Sequence, residues 1–217
     1  MLGRQQIAGI PTAISEIFKN AYDAYATEVR GDYFPAQRVL VIRDNGTGMS
    51  REEFTTRWLT IGTESKSTGS ALPPLHRPER LSVRRQMGEK GIGRLAIASV
   101  GPQLIVVSRG TSSGGDSLDS MVVSFVQWSM FEIPGITLDE VAVPIRVVND
   151  EEELTRSLID GMVQEVKEAL DALGSRVPSD TSNRIRHELA SLDIEIGAYL
   201  RVNGPNVFEI QNPMSSL

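Results

Sequence analysis

The chain has 217 residues, 40% of them hydrophobic, which is enough for one large domain, or one domain with an appended subdomain, built around a real core. A formal net charge of -6 and a pI near 5.1 argue against a surface that grips nucleic acid over most of its extent, because phosphate contacts need clustered Lys and Arg; a local basic patch stays open. With no cysteine and only His76 and His187, neither a disulfide framework, a thiolate metal site nor a histidine-rich site can form.

Over residues 11–29 the apolar residues Ile14, Ile17, Phe18, Ala21, Ala24 and Tyr25 recur at helical spacing, with Thr12 placed to help start the helix and Gly31 to stop it. Residues 38–43 (RVLVIR) are rich in β-branched side chains, read as a buried strand, and run straight into Asp44-Asn45-Gly46-Thr47-Gly48-Met49. Ser50 and Glu53 then have capping-box spacing, so a helix is expected after the loop. A long Gly, Ser, Pro and Arg-rich connection follows, and a further helix is expected over 93–100, stopped by Gly101-Pro102. Strands are expected over 104–108, 121–128 and 141–148, which makes the fold class α/β, a two-layer sandwich with mixed strand directions.

After Asp150 the pattern changes. Leu154, Leu158, Met162, Val166, Leu170 and Leu173 form one helical stripe, and Ile185, Leu189, Leu192, Ile196 and Leu200 form a second, with residues 174–181 as the turn between them. This helical hairpin is expected to be packed core or an interface rather than a ligand site, and a strand over 206–210 closes the chain. Three parts are therefore expected: residues 1–150, a hairpin insertion or subdomain over 151–203, and a terminal strand and tail over 204–217. The opening residues lack the apolar core of a signal peptide, and no apolar run approaches the roughly 18 residues of a membrane span, so a cytoplasmic chain that does not enter membranes is expected.

Three groups of residues could carry chemistry. Glu16, Asn20 and Asp23 fall at i, i+4 and i+7, in one polar line of a helix; such a line can hold a hydrated Mg²⁺ and orient a water, and it also fits a solvated face. Asp44-Asn45-Gly46 alone fits a hairpin turn, yet the capping box beyond it favours strand, loop and helix, an arrangement that brings backbone close to a ligand and lets a carboxylate accept a bond from an exocyclic amine. Gly88-Glu89-Lys90-Gly91-Ile92-Gly93 opens the helix at Arg94, where backbone N–H groups and the helix dipole can face a phosphate, or where three glycines make only a loop. It is not a dinucleotide fingerprint, and no Walker sequence occurs, so a bound nucleotide would lie outside any P-loop. The connection through Ile61-Gly62-Thr63-Glu64-Ser65-Lys66-Ser67 is long enough for a lid, with Lys66, Arg84, Arg85, Lys90 and Arg94 supplying positive charge, and equally fits a surface loop.

In chain order, Glu16-x-x-x-Asn20-Ala21-x-Asp23-Ala24, Asp44-x-Gly46-x-Gly48-Met49 and Gly88-x-x-Gly91-x-Gly93 resemble the three signature boxes of the GHKL ATPases, the superfamily of gyrase B, heat-shock chaperones, histidine kinases and MutL. The segment Ile61-Gly62-Thr63-x-Ser65-Lys66 is similar to the chaperone and MORC branches. The resemblance implies the Bergerat fold, with helices on one face of a mixed sheet and ATP between the helical layer and a lid. It implies that Glu16 activates water, that Asn20 ligates Mg²⁺ and that Asp44 receives the adenine amine. Gly46, Gly48 and Met49 would then shape the adenine pocket, Gly91, Ile92 and Gly93 would donate to the phosphates, and Lys66 would be a lid residue; Asp23 would be structural. Implied with these are a nucleotide-dependent homodimer, or an effector region or protein partner beyond the chain. The family's threonine on a late strand near adenine has no convincing match, so either the hairpin is inserted before that strand or the chain ends first. Two readings follow: an ATPase that couples nucleotide to lid closure and dimerisation, or a nucleotide-gated interaction module with little turnover.

Overall fold

A computed structural model describes residues 9–59, 82–85, 87, 96–111, 118–192, 199 and 207–212. Lys66, Gly91, Ile92 and Gly93, the lid segment, Ile196 and Leu200 lie outside the described residues.

The first helix, α1, spans Ile10–Asp23, with Gly9 at its N-cap and Pro11 in its first turn, where a missing N–H costs nothing. Thr12 does not cap it; its own N–H bonds back to the Gly9 carbonyl at 3.1 Å. The helix also stops well before residue 29. Tyr25 takes a left-handed backbone (φ 63), the Tyr25 N–H reaches Tyr22 O at 3.0 Å, and the Ala26 N–H reaches Ala21 O at 2.9 Å. This is a Schellman ending with tyrosine where glycine is usual, its apolar contact supplied by the buried Ala21 and Ala26. The helical periodicity of the sequence therefore ran on into an unexpected strand, β1, at Val29–Phe34, in which Gly31 is an ordinary edge position rather than a stop.

β2 is Val39–Asp44, β3 Gln103–Thr111, β4 Leu118–Gln127, β5 Ile145–Val148 and β6 Val207–Asn212, in the order β1-β2-β6-β3-β4-β5. All five pairings among the described strands are antiparallel, so the architecture is α/β as expected, while the directions of the described strands are not mixed. The last strand enters the middle of the sheet, between β2 and β3, with Val207 opposite Asp44. The hairpin thus precedes a strand that flanks Asp44.

Alternation along the strands sorts the core onto two faces. Leu40, Ile42, Leu104, Val106, Val122 and Val126 pack with Ile17 of α1, with Phe54 and Trp58, and with Ile97. Val39, Val41, Ile105, Val107, Val123 and Phe125 pack instead with the hairpin, through Ile159, Met162, Val163, Val166 and Leu170 of α3 (Arg156–Leu173) and Ile185 and Leu189 of α4 (Ser179–Ala190). Helices therefore cover both faces of the sheet, and the hairpin supplies a third layer that the two-layer expectation lacked. On that face Arg43 pairs with Asp32, and Phe34 meets Tyr199 edge-on at 4.9 Å. Glu188 ties α4 to the sheet, its carboxylate accepting from Gln127 Nε2 and Ser129 Oγ, each at 2.6 Å.

The capping box at Ser50 and Glu53 is present, and it opens a short helix, α2, at Arg51–Glu53. The helix widens at once into a π turn over Phe54–Trp58, closed by Leu59 N–H to Phe54 O at 3.0 Å, and this brings Phe54 and Trp58 into a stack 4.9 Å apart. Of the helix expected over 93–100, Ala96 and Ile97 are helical, and the chain then turns through Val100. No helix among the described residues is long and apolar enough to cross a membrane.

Candidate functional site

β2 delivers Asp44 to the sheet face that it shares with Ile42 and Leu40, the face under α1. Hydrogen bonds from Asn45, Gly46, Thr47 and Met49 hold the loop that follows. Asn45 Oδ1 accepts from the Thr27 and Glu28 N–H groups at 2.8 and 2.9 Å, while its Nδ2 donates to Thr27 Oγ1 at 2.8 Å. The Gly46 N–H bonds Asp44 Oδ1 at 2.8 Å, and the Thr47 N–H bonds the Ala24 carbonyl, also at 2.8 Å. The Met49 N–H bonds Ser108 Oγ on β3 at 2.8 Å.

Two glycines are needed on steric grounds. A Cβ at Gly46 would lie 2.8 Å from Ala24 O and 2.9 Å from Ala24 Cβ, so only glycine lets the loop lie against the end of α1. Gly48 has φ +64, and a Cβ there would fall 2.0 Å from the Arg109 carbonyl oxygen. The Asp-x-Gly-x-Gly spacing thus wedges a loop between α1 and β3. It is not the tip of a hairpin.

Burial pushes the Asp44 carboxyl from 3.8 up to about 6, against the opposing pull of the Gly46 N–H. Among the described residues no cation offsets this burial and nothing donates to Oδ2. A desolvated acceptor with one oxygen fixed by backbone and the other open suits a neutral N–H donor such as an exocyclic amine. Three residues on, the Thr47 side chain is buried, and its Oγ1 has no partner among the described residues. Sequence reading missed Asn45 as a strut, Thr47 as an orphaned hydroxyl and Ser108 as a loop anchor. Asn45 and Thr47 stood inside the recognised motif, whereas Ser108 carried no signal except its place in a strand.

On α1, Glu16 is partly buried, and its Oε1 lies 2.5 Å from Lys19 Nζ. The sequence reading did not anticipate this partner. Asn20 is exposed, and its side chain makes no hydrogen bond among the described residues. Asp23 Oδ1 accepts the Met87 N–H at 2.8 Å. Because the loop packs on Ala24, the helix rise sets Asn20 about 6 Å and Glu16 about 12 Å along the axis from the loop. Among the described residues no group of three or more His, Asp or Glu side chains could hold a metal ion. Asn20 fits Mg²⁺ only as one ligand among waters and phosphate oxygens, the usual manner in which Mg²⁺ is held beside a nucleotide.

A family model described as histidine kinase-, DNA gyrase B- and HSP90-like ATPase matches residues 9–153. That stretch contains the polar line of α1, the Asp44 loop and the glycine motif. Among curated proteins, a putative type II restriction enzyme, HgiDII of Herpetosiphon aurantiacus, is 39% identical over 85 residues, which is 39% of this chain and 12% of that relative.

Proposed function

Since the chain belongs to the histidine kinase-, DNA gyrase B- and HSP90-like ATPase family across residues 9–153, we propose that it binds Mg-ATP with adenine at Asp44 and the phosphates toward Glu16, and that it hydrolyses the terminal phosphate. The observation that carries this reading is the buried Asp44 carboxylate, one oxygen fixed by the Gly46 N–H and the other accepting from none of the described residues, ahead of a loop that its glycines let pack between α1 and β3. Gly46, Gly48 and Met49 form the pocket wall, and Asp44 accepts the adenine amine. Glu16 orients and deprotonates the attacking water, a role that requires only that its free oxygen face the phosphate. Asn20 ligates Mg²⁺, which when bound neutralises phosphate charge. Gly91, Ile92 and Gly93 donate backbone N–H groups to the phosphates, and Lys66 closes over them as a lid residue.

In this reading nucleotide binding drives lid closure and pairing with a second copy, and the signal passes to an effector. The hairpin expected over 151–203 is read as an insertion ahead of the strand that flanks Asp44, Val207–Asn212, the described part of the segment 204–217. The relative's name, a restriction enzyme, makes DNA cleavage the first effector activity to examine, within a longer assembly of which this domain is the nucleotide-responsive part.

A second reading, a nucleotide-gated module with little turnover, is favoured by one observation: Lys19 occupies one oxygen of the would-be base. Phosphate release separates the two. The ATPase reading predicts turnover that falls by at least about 100-fold in Glu16→Ala while Mg-ATP binding persists. Wild-type binding with no phosphate release above the Glu16→Ala background would leave the gated module.

A further inference from the structure

β1 stands at one end of the order β1-β2-β6-β3-β4-β5, so one side of it pairs with β2 and the other has no partner among the described strands. Arg30 and Gly31 are exposed and Tyr33 is 57% exposed, as on an uncovered edge. The devices that usually blunt such an edge are missing: Val29–Phe34 holds no proline and no lysine, and its register with β2 runs without a bulge.

The pairing with β2 fixes which main-chain groups face outward. One step before the Val29↔Asp44 pair, the Asn45 N–H donates to Glu28 O at 3.3 Å, so Glu28 belongs to the set of residues whose main-chain groups point at β2. Alternation carries that set on to Arg30, Asp32 and Phe34, and it leaves the N–H and C=O groups of Val29, Gly31 and Tyr33 aimed away from the sheet. An antiparallel neighbour must pair through those three. The side chains alternate as well. Arg30 and Asp32 lie on the hairpin face, where Asp32 meets Arg43, while Val29, Gly31 and Tyr33 lie on the face of their partners Asp44, Ile42 and Leu40.

These constraints select a neighbour. A second copy related by two-fold symmetry centres the ladder on one residue. Centred on Arg30, the pairing sets two guanidinium groups opposite each other, and centred on Asp32 it sets two carboxylates opposite each other, both destabilising. Centred on Gly31, it sets Arg30 of each copy opposite Asp32 of the other, in the pairs where side chains approach most closely. Arg30 is free to serve there: its side chain is 61% exposed, and its Nε lies 3.1 Å from Asp32 of its own strand, which leaves the terminal nitrogens to reach across. On the other face Val29 meets Tyr33. A Cβ at Gly31 would touch nothing within 4 Å, and glycine opposite glycine at the axis makes room for the two exposed Tyr33 rings.

We propose that two copies of this chain join edge to edge through β1, antiparallel and centred on Gly31, into one continuous sheet. About six main-chain hydrogen bonds and two Arg30–Asp32 pairs hold the contact, and the two-fold closes it. The pairing uses no ligand, so it is separate from the nucleotide-driven pairing read above, and either can fail without the other.

The test is sedimentation velocity on the full chain without nucleotide, for the wild type, Arg30→Glu, Gly31→Lys, Asp32→Lys, Arg186→Glu on α4, and an equimolar mixture of Arg30→Glu with Asp32→Lys. The wild type is expected to show a reversible monomer–dimer equilibrium with a Kd of about 10–100 μM, as suits a small interface. Arg30→Glu and Asp32→Lys each set like charges opposite and are expected to weaken it at least about tenfold, while their mixture, in which every pair is again opposite in sign, returns to within about threefold of the wild type. Gly31→Lys has space in the single copy but brings two ammonium groups to the axis, so it too is expected to be monomeric, and Arg186→Glu is expected to match the wild type. A monomeric wild type would overturn the proposal, as would a ladder of species beyond the dimer, which marks head-to-tail pairing of β1 with β5. Dimers as tight in Arg30→Glu and Gly31→Lys as in the wild type, or equal weakening in Arg186→Glu, would also overturn it. If Asp32→Lys does not fold for want of the Arg43 pair, Arg30→Glu and Gly31→Lys against Arg186→Glu decide alone.

Discussion

At the scale of single residues, Asp44 carries a cost in stability. Its carboxyl stands at about 6 in the fold against 3.8 as its ordinary value, because burial disfavours the charge. The folded state holds this proton more tightly than the unfolded chain does, so the cost of burial is absent below pH 4, grows as pH rises toward 6 and is complete above it. Asp44→Asn removes that charge yet keeps an acceptor for the Gly46 N–H. It is expected to melt higher than the wild type at pH 7.5, by the equivalent of up to about 3 kcal/mol, with the difference vanishing near pH 4; equal melting temperatures at both pH values would contradict the assigned cause. Gly48 works in the opposite sense. Alanine there would meet the Arg109 carbonyl at 2.0 Å with a left-handed backbone, so Gly48→Ala is expected to cost at least about 2–3 kcal/mol in urea unfolding. These motif residues were legible in the sequence because loop chemistry needs particular residue types. Tyr25 was not: a left-handed tyrosine looks in sequence like one more apolar residue of a helix.

At the scale of elements, the hairpin was legible as two amphipathic helices, but its destination was not. Periodicity reports that a helix has an apolar face and says nothing of what covers it. In the fold, Met162 and Leu170 of α3 are fully buried against the odd-numbered side chains of β2, β3 and β4. Met162→Ala should therefore lose about 2–5 kcal/mol of unfolding free energy, whereas Arg186→Ala, which removes an exposed pair with Asp171, should change it by less than about 1 kcal/mol. A small loss in Met162→Ala would mean that the hairpin does not seal the sheet. The edge strand β1 was hidden for a related reason. Val29, Gly31 and Tyr33 give no clean alternation, and the helical spacing ahead of them overran the true stop at Tyr25.

At the scale of the whole molecule, the sequence led to the α/β class, because its strands are β-branched and its helices strongly periodic. The strand order lay beyond it. Entry of Val207–Asn212 between β2 and β3 is a long-range pairing that no local pattern encodes. That pairing puts Val207, not a threonine, opposite Asp44. Sheet, α1 and the loop through Asn45 and Met49 together form a frame closed on both faces by helices. The most direct test of this account is Mg-ATP titration calorimetry of the wild type beside Asp44→Asn at pH 7.5. The account predicts saturable one-site binding by the wild type and none measurable by a folded, more stable Asp44→Asn; equal binding by both proteins, or none by the wild type, would contradict it.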